Sequence, residues 1–312
     1  MSWRVPAGNP YRPIMAEAAA ALRGKRVLIT GPARGIGAGL AFELSRHGAR
    51  LALVGLEPGG LAAVAERCGE GTFVAECDVS DHAQITAAID AAAQSLGGLD
   101  VVVANAGIAA GGPMRDQDLR SWQRVIEINL LGVMYTDRAA IPHLERSRGY
   151  LLNVASAAAV VHGGGMSAYC AAKAGVEAMS NCLRSELAPL GVNVGVAYFM
   201  FLDTDMVRDA EREMPLMNRI RDRMPSALGR TYPLAPAIDQ LVAGIVERRR
   251  RVAFPKWLLG LLPLRQVFAS AAVDRLAARS AGQTVREYEQ LVSERGASAA
   301  SATERTRQVA GL

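Results

Sequence analysis

Lysine is nearly missing from this chain. Of its 35 Lys and Arg residues, only Lys25, Lys173 and Lys256 are lysine. A lysine four residues after a tyrosine therefore stands out from the composition. Cysteine is scarce too: Cys68, Cys77, Cys170 and Cys182 are the full set, with no paired metal-ligand spacing, so no metal site is expected. Aromatic residues make up 5% of the chain and are not interleaved with basic ones. Nucleic-acid binding is therefore not expected, although the net charge is +5 and the pI about 9.2. Much of that charge falls in Arg248–Arg251 and an arginine-rich tail. With no secretory segment at its start, the sequence reads as a cytoplasmic protein.

What is present is a regular rhythm. Half of the 312 residues are hydrophobic, enough for one α/β domain with extensions. Short apolar runs recur at Val27–Thr30, Leu51–Val54, Thr72–Ala75, Leu99–Ala104, Tyr150–Ala155, Val192–Ala197 and Val252–Phe254. Each is bounded by Gly, Asp or Asn, as strands buried on both faces are. Between them lie helical stretches that include Gly35–His47, Ala83–Leu96, Leu119–Glu145 and Ser167–Leu190. The alternation predicts a doubly wound parallel sheet of about seven strands over residues 24–255. Residues 1–23 read as an arm, 203–228 as a small helical cap, and 256–312 as an extension whose polar end, from Ser280, is loosely held.

Two local patterns carry chemistry. Thr30-Gly31-Pro32-Ala33-Arg34-Gly35-Ile36-Gly37 joins the first strand to the first helix. Glycines there permit close approach of a pyrophosphate to the helix N-terminus. On a helix, Tyr169 and Lys173 share one face. A nearby ammonium favours the phenolate and draws a phenol, ordinarily near ~10, toward the working range of an acid–base catalyst.

With these motifs in order, the chain resembles the short-chain dehydrogenase/reductase family in its single-domain subgroup. The matching residues are the Thr30–Gly37 turn, Asp78-Val79, Asn105-Ala106-Gly107, Asn129, Ser156, and Tyr169 with Lys173. The resemblance covers roughly residues 24–254 and implies hydride transfer between a nicotinamide and a carbonyl or alcohol carbon. It implies that Tyr169 is the acid in reduction and the base in oxidation, and that Lys173 lowers its pKa and binds the nicotinamide ribose. Ser156 would hydrogen-bond the substrate oxygen, and Asn129 would hold a water leading to Lys173. Thr30, Gly31, Arg34, Gly35, Ile36 and Gly37 would cradle the cofactor, Asp78 and Val79 would flank its adenine, and Asn105, Ala106 and Gly107 would line its path. Thr204 would hold the carboxamide.

Two departures bear on specificity. Phe199 and Met200 stand where the family usually has Pro-Gly, which narrows the pocket and makes it more apolar. At the end of the second strand, Gly55 replaces the acid of NAD-preferring relatives. With Arg34, this tilts the reading toward NADP, while Glu57 opposes it, so NAD and NADP both stay open. Ala157–Met166, apolar apart from His162, and the cap residues Met206, Met214, Met217 and Met224 suit a hydrophobic carbonyl or alcohol. Residues 248–265 combine basic residues with Trp257 and leucines. They fit docking on the body or on a second subunit, and also peripheral contact with an anionic membrane. A homodimer or homotetramer would form through Leu119–Glu145 and Ser167–Leu190. The alternative to an enzyme is a non-catalytic dinucleotide-binding or membrane-associated scaffold.

Overall fold

The computed structural model describes residues 19–222 and 224–312. Most of the arm expected at 1–23 lies outside these residues. Seven strands, β1 (Arg26–Thr30), β2 (Arg50–Gly55), β3 (Phe73–Glu76), β4 (Val101–Ala104), β5 (Tyr150–Val154), β6 (Asn193–Phe199) and β7 (Arg251–Phe254), form one parallel sheet in the order β3-β2-β1-β4-β5-β6-β7. Successive residues point to opposite faces, so both faces need apolar side chains. Val27, Ile29, Leu51 and Leu53 pack on one side against α1 (Gly35–Arg46), α2 (Pro58–Cys68) and α10 (Leu234–Val246). Leu28, Ala52, Val54 and Val102 pack on the other against α3 (His82–Leu96), α4 (Leu119–Ile126), α5 (Gly132–Ser147) and α6 (Ser167–Leu187). The strand order reverses between β1 and β4, which opens a crevice at the C-terminal strand ends.

The helix predicted without interruption over Leu119–Glu145 is broken by a π turn at Glu127–Leu131, between α4 and α5. The wider turn brings the Asn129 amide inward to the Ile108 backbone. Between β6 and α10 stand three short helices, α7 (Asp205–Glu213), α8 (Pro215–Asp222) and α9 (Ser226–Gly229). After β7, a 3₁₀ run at Lys256–Leu264 leads to α11 (Arg265–Phe268), α12 (Ala271–Arg295), α13 (Ala297–Ser301) and α14 (Glu304–Ala310). Leu258 and Leu262 anchor the 3₁₀ run in the core, while Trp257, Leu259 and Leu264 are exposed. Two of its basic neighbours are spent locally, Arg249 on Glu247 and Arg265 on Glu177. Among the described residues no helix is long and apolar enough to cross a membrane.

The sequence suggests a loosely held end, and the structure differs. Ser301, Ala302, Thr303, Thr306 and Ala310 are buried, because small and hydroxyl side chains let this polar segment pack closely. Its backbone is tied to the body: Gly111 N donates to the Ser301 carbonyl at 2.8 Å, and Tyr288 Oη and Ser301 Oγ hydrogen-bond at 2.7 Å.

One buried polar group links the sheet to the two central helices. Asn153 of β5 donates through Nδ2 to Asp137 Oδ2 of α5 at 2.7 Å and to Ser180 Oγ of α6 at 3.0 Å. Burial pushes the Asp137 carboxyl up to about 8. The folded chain thus keeps a proton that an unfolded Asp releases near pH ~4. The stability this adds is complete below that pH and is lost as pH rises toward the folded value. Asp137→Asn, which carries no such proton, should lose less Tm than the parent chain between about pH 5 and about pH 8. An equal loss in both proteins would show that Asp137 is already ionised in the folded state.

Candidate active site

The crevice begins at the glycine turn. Thr30, at the end of β1, accepts through Oγ1 from Asn105 N at 3.0 Å and Ala106 N at 3.1 Å. Asn105 returns its Nδ2 to the carbonyls of Thr30 and Gly31, at 3.0 and 3.1 Å. These bonds press the ends of β1 and β4 together, so Gly31 and Gly37 have no room for side chains. A Cβ on Gly31 would lie 2.7 Å from Ala106 Cα, and one on Gly37 would lie 2.6 Å from the Gly31 carbonyl. Gly31 also has a φ of +63°, which disfavours any other residue. Helix α1 starts without a side-chain cap, which leaves its first amides available to an anion.

Behind the turn, Lys173 of α6 is 4% exposed and donates through Nζ to the Val154 carbonyl at 2.8 Å. Desolvation draws its ammonium down to about 8. Gly107 packs over it: a Cβ there would sit 3.1 Å from Asn129 Oδ1 and 3.7 Å from Lys173 Nζ. Asn129 uses its amide as a strand would, accepting from Ile108 N and donating to the Ile108 carbonyl, both at 2.8 Å. Ser156 follows β5 and accepts from Ala158 N at 3.1 Å, which fixes the 3₁₀ turn Ala157–Ala159. The Tyr169 ring centroid is 5.8 Å from Lys173 Nζ. The direction expected for the phenol is reversed: burial pushes Tyr169 up, and a hydrogen bond with Ser156 opposes that rise.

The residues assigned above to catalysis and cofactor line one cavity of about 340 Å³, except Thr30, Gly37 and Asn129, which are not among its lining residues. Its far end is apolar, with Val161, Met166, Met206, Met217 and Met224. Phe199 and Met200 also line it, and Met200 N donates to the Phe254 carbonyl at 3.2 Å. His162 is exposed and does not line the cavity, and Met214 lines a separate small pocket. Thr204 lines the cavity and donates to the Leu202 carbonyl at 3.3 Å.

Charges around the cavity are paired. Arg34 donates to Glu57, so the arginine that tilted the reading toward NADP already has a carboxylate partner. Burial alone would raise the Asp78 carboxyl, but the Ser80 hydroxyl and amide and the Arg124 guanidinium together hold it below the ordinary range. Arg124 and Arg221 were missed by sequence reasoning. Arg124, 8% exposed, also reaches Glu127 at 2.8 Å. Arg221 stacks on Phe201 at 4.4 Å and pairs with Glu211 at 2.6 Å. In an arginine-rich chain nothing local marks either one, since their partners are brought by the fold.

A profile of the short chain dehydrogenase family matches residues 25–215. Trans-4-hydroxycyclohexanecarboxylate dehydrogenase of Sinomonas cyclohexanicum is 36% identical over 197 residues, spanning 60% of this chain and 76% of that protein. The (-)-trans-carveol dehydrogenase of Rhodococcus erythropolis is 36% identical, spanning 61% of this chain and 75% of that protein. Among solved structures, a 3-ketoacyl-(acyl-carrier-protein) reductase from Brucella melitensis, complexed with NADH, is similar with a TM-score of 0.66 and 26% identity. That likeness covers 75% of this chain and 97% of the reductase. The profile match over most of the chain, together with this fold, makes the chain a member of the short-chain dehydrogenase family.

Proposed function

We propose that this chain moves a hydride between a nicotinamide and a hydrophobic secondary alcohol or ketone held in its apolar cavity. NAD(P)-dependent oxidoreduction of hydroxyl or carbonyl carbons follows from the family. The substrate class, cofactor preference and residue roles are the proposal. The observation that carries it is the clustering of Ser156, Tyr169 and Lys173 along one cavity with the glycine turn. The trans-4-hydroxycyclohexanecarboxylate and (-)-trans-carveol dehydrogenases among the relatives support an alcohol or ketone of this kind as substrate.

The residues fit a nicotinamide dinucleotide, because Gly31 and Gly37 leave a cradle that a Cβ would fill. When bound, that group accepts or supplies the hydride. Gly31, Arg34, Gly35 and Ile36 would hold its phosphates, Lys173 its nicotinamide ribose, Thr204 its carboxamide, and Asp78 and Val79 its adenine. The Tyr169 phenol gives its proton to the substrate oxygen in reduction and takes it in oxidation. Ser156 hydrogen-bonds that same oxygen and stabilises the charge developing there. Lys173, drawn down to about 8, can exchange a proton near neutral pH. Asn129 keeps one Oδ1 lone pair and one Nδ2 hydrogen beyond its Ile108 bonds, enough to hold a water beside Lys173.

NAD is the preferred cofactor in this proposal, reversing the tilt read from Gly55 and Arg34. A 2′-phosphate would meet the Glu57 carboxylate and have to displace it from Arg34. Homo-oligomerisation through the outer faces of α4–α6 belongs to the same proposal. So does weak peripheral membrane contact by the exposed Trp257, Leu259 and Leu264, since Arg249 and Arg265 beside them are already paired with Glu247 and Glu177.

With cyclic hydrophobic ketones as substrates, Tyr169→Phe should lower kcat by about 10²–10⁴-fold and leave the NADH dissociation constant unchanged. Retained turnover would remove Tyr169 from the mechanism. Glu57→Gln should shift the ratio of kcat/KM values toward NADPH by about tenfold, the scale of one charge-assisted hydrogen bond. A ratio that does not move would show that the Arg34–Glu57 pair does not select the cofactor.

A further inference from the structure

The last helix, α14, lies against the cavity rather than away from it. Its Val309 side chain lines the same cavity as Val79, Ile108 and Ile128. The residues flanking it are fixed at both ends. At the start, Glu304 N donates to Glu213 Oε2 at 2.7 Å, and Arg305 Nε stands 3.0 Å from Asp209 Oδ2, both acids belonging to α7 beside the substrate end. At the end, the Ala310 carbonyl accepts from Arg124 Nε at 2.9 Å. A guanidinium at a helix C-terminus meets both an orphan carbonyl and the negative end of the dipole. That guanidinium also reaches Asp78 Oδ2 at 3.2 Å and Ser80 Oγ at 3.0 Å. Arg124 is therefore shared between the tail and the carboxylate assigned to the adenine end. The family profile stops at residue 215, so family likeness does not account for this wall.

We propose that α14 is a wall of the cofactor site, with Val309 packing on the adenosine half of the dinucleotide and Arg124 as the positioning residue that joins the tail to Asp78. The assignment rests on the dinucleotide reading above. An apolar side chain against an adenine face adds buried area, and a fixed wall reduces the ordering that binding would otherwise require. The nicotinamide half, near Tyr169 and Lys173, is built by other elements and meets the tail only indirectly, through the Asp209 and Glu213 contacts of α7.

The test is calorimetric titration of three proteins: the full chain, a chain ending at Thr303, and Val309→Glu in the full chain. Each is titrated with ADP and with reduced nicotinamide mononucleotide, the two halves of the cofactor. The dissociation constant for ADP should rise about tenfold or more in both variants, while that for the mononucleotide moves by less than about twofold. If the shortened chain does not fold, Val309→Glu decides alone. ADP bound equally by the full chain and Val309→Glu overturns the assignment, as does equal loss of both halves. ADP that fails to bind even the full chain overturns the dinucleotide reading together with it.

Discussion

One buried ammonium constrains the centre of this molecule. Lys173 rests on the Val154 carbonyl, and a cation taken out of water is costly unless its donors are met. Its acceptor is the last carbonyl of β5, so the end of that strand and helix α6 must hold a fixed relation. The Asn153 side chain supplies that hold one residue earlier, reaching Asp137 on α5 and Ser180 on α6. Gly107 keeps the β4 loop close without crowding the ammonium. The remaining cost appears as a lysine drawn down to about 8, a value at which the group can exchange protons rather than only carry charge.

What was legible in the sequence was local or periodic. Strand and helix alternate at a spacing the chain itself displays, so the parallel sheet could be read directly. Tyr169 and Lys173 are one helical turn apart, and the scarcity of lysine made the pair visible. The glycine turn was legible because glycine is required where β1 and β4 converge. The phenol's direction was not, since the neighbouring cation is visible in the sequence while burial, which dominates, is set by the fold. The π turn at Asn129 was hidden for a similar reason: its cause is Ile108, 21 residues away.

Arginine shows the same limit more sharply. In a chain where arginine is the default cation, the sequence marks Arg34 only by its place in the glycine turn and cannot separate Arg124 and Arg221 from the solvated rest. Each is defined by a partner brought from elsewhere, Glu57, Asp78 and Glu211 respectively. The end of the tail is packed although Arg-, Ser- and Glu-rich composition ordinarily marks a segment unable to bury enough apolar surface. Here Ala300, Ser301, Ala302, Thr303, Thr306 and Ala310 are buried through backbone hydrogen bonds and small side chains, which hydropathy does not register.

These pairings divide the work inside the cavity. Carboxylates and guanidiniums near its rim neutralise each other, so they contribute shape and position more than free charge. The interior beyond Tyr169 is mostly thioether and aliphatic, and its charged members Asp205 and Arg221 are paired with Arg208 and Glu211, so it adapts to an apolar surface but offers it little direction. On the proposed function, the polar contacts that orient a substrate are therefore the Ser156 and Tyr169 hydroxyls at its reacting oxygen. Such a site selects on whether an apolar body fits while its oxygen reaches the phenol. Variation in Phe199, Met200 and the cap methionines would then change which substrates are accepted without disturbing the proton-handling residues, because the two sets are carried by different elements.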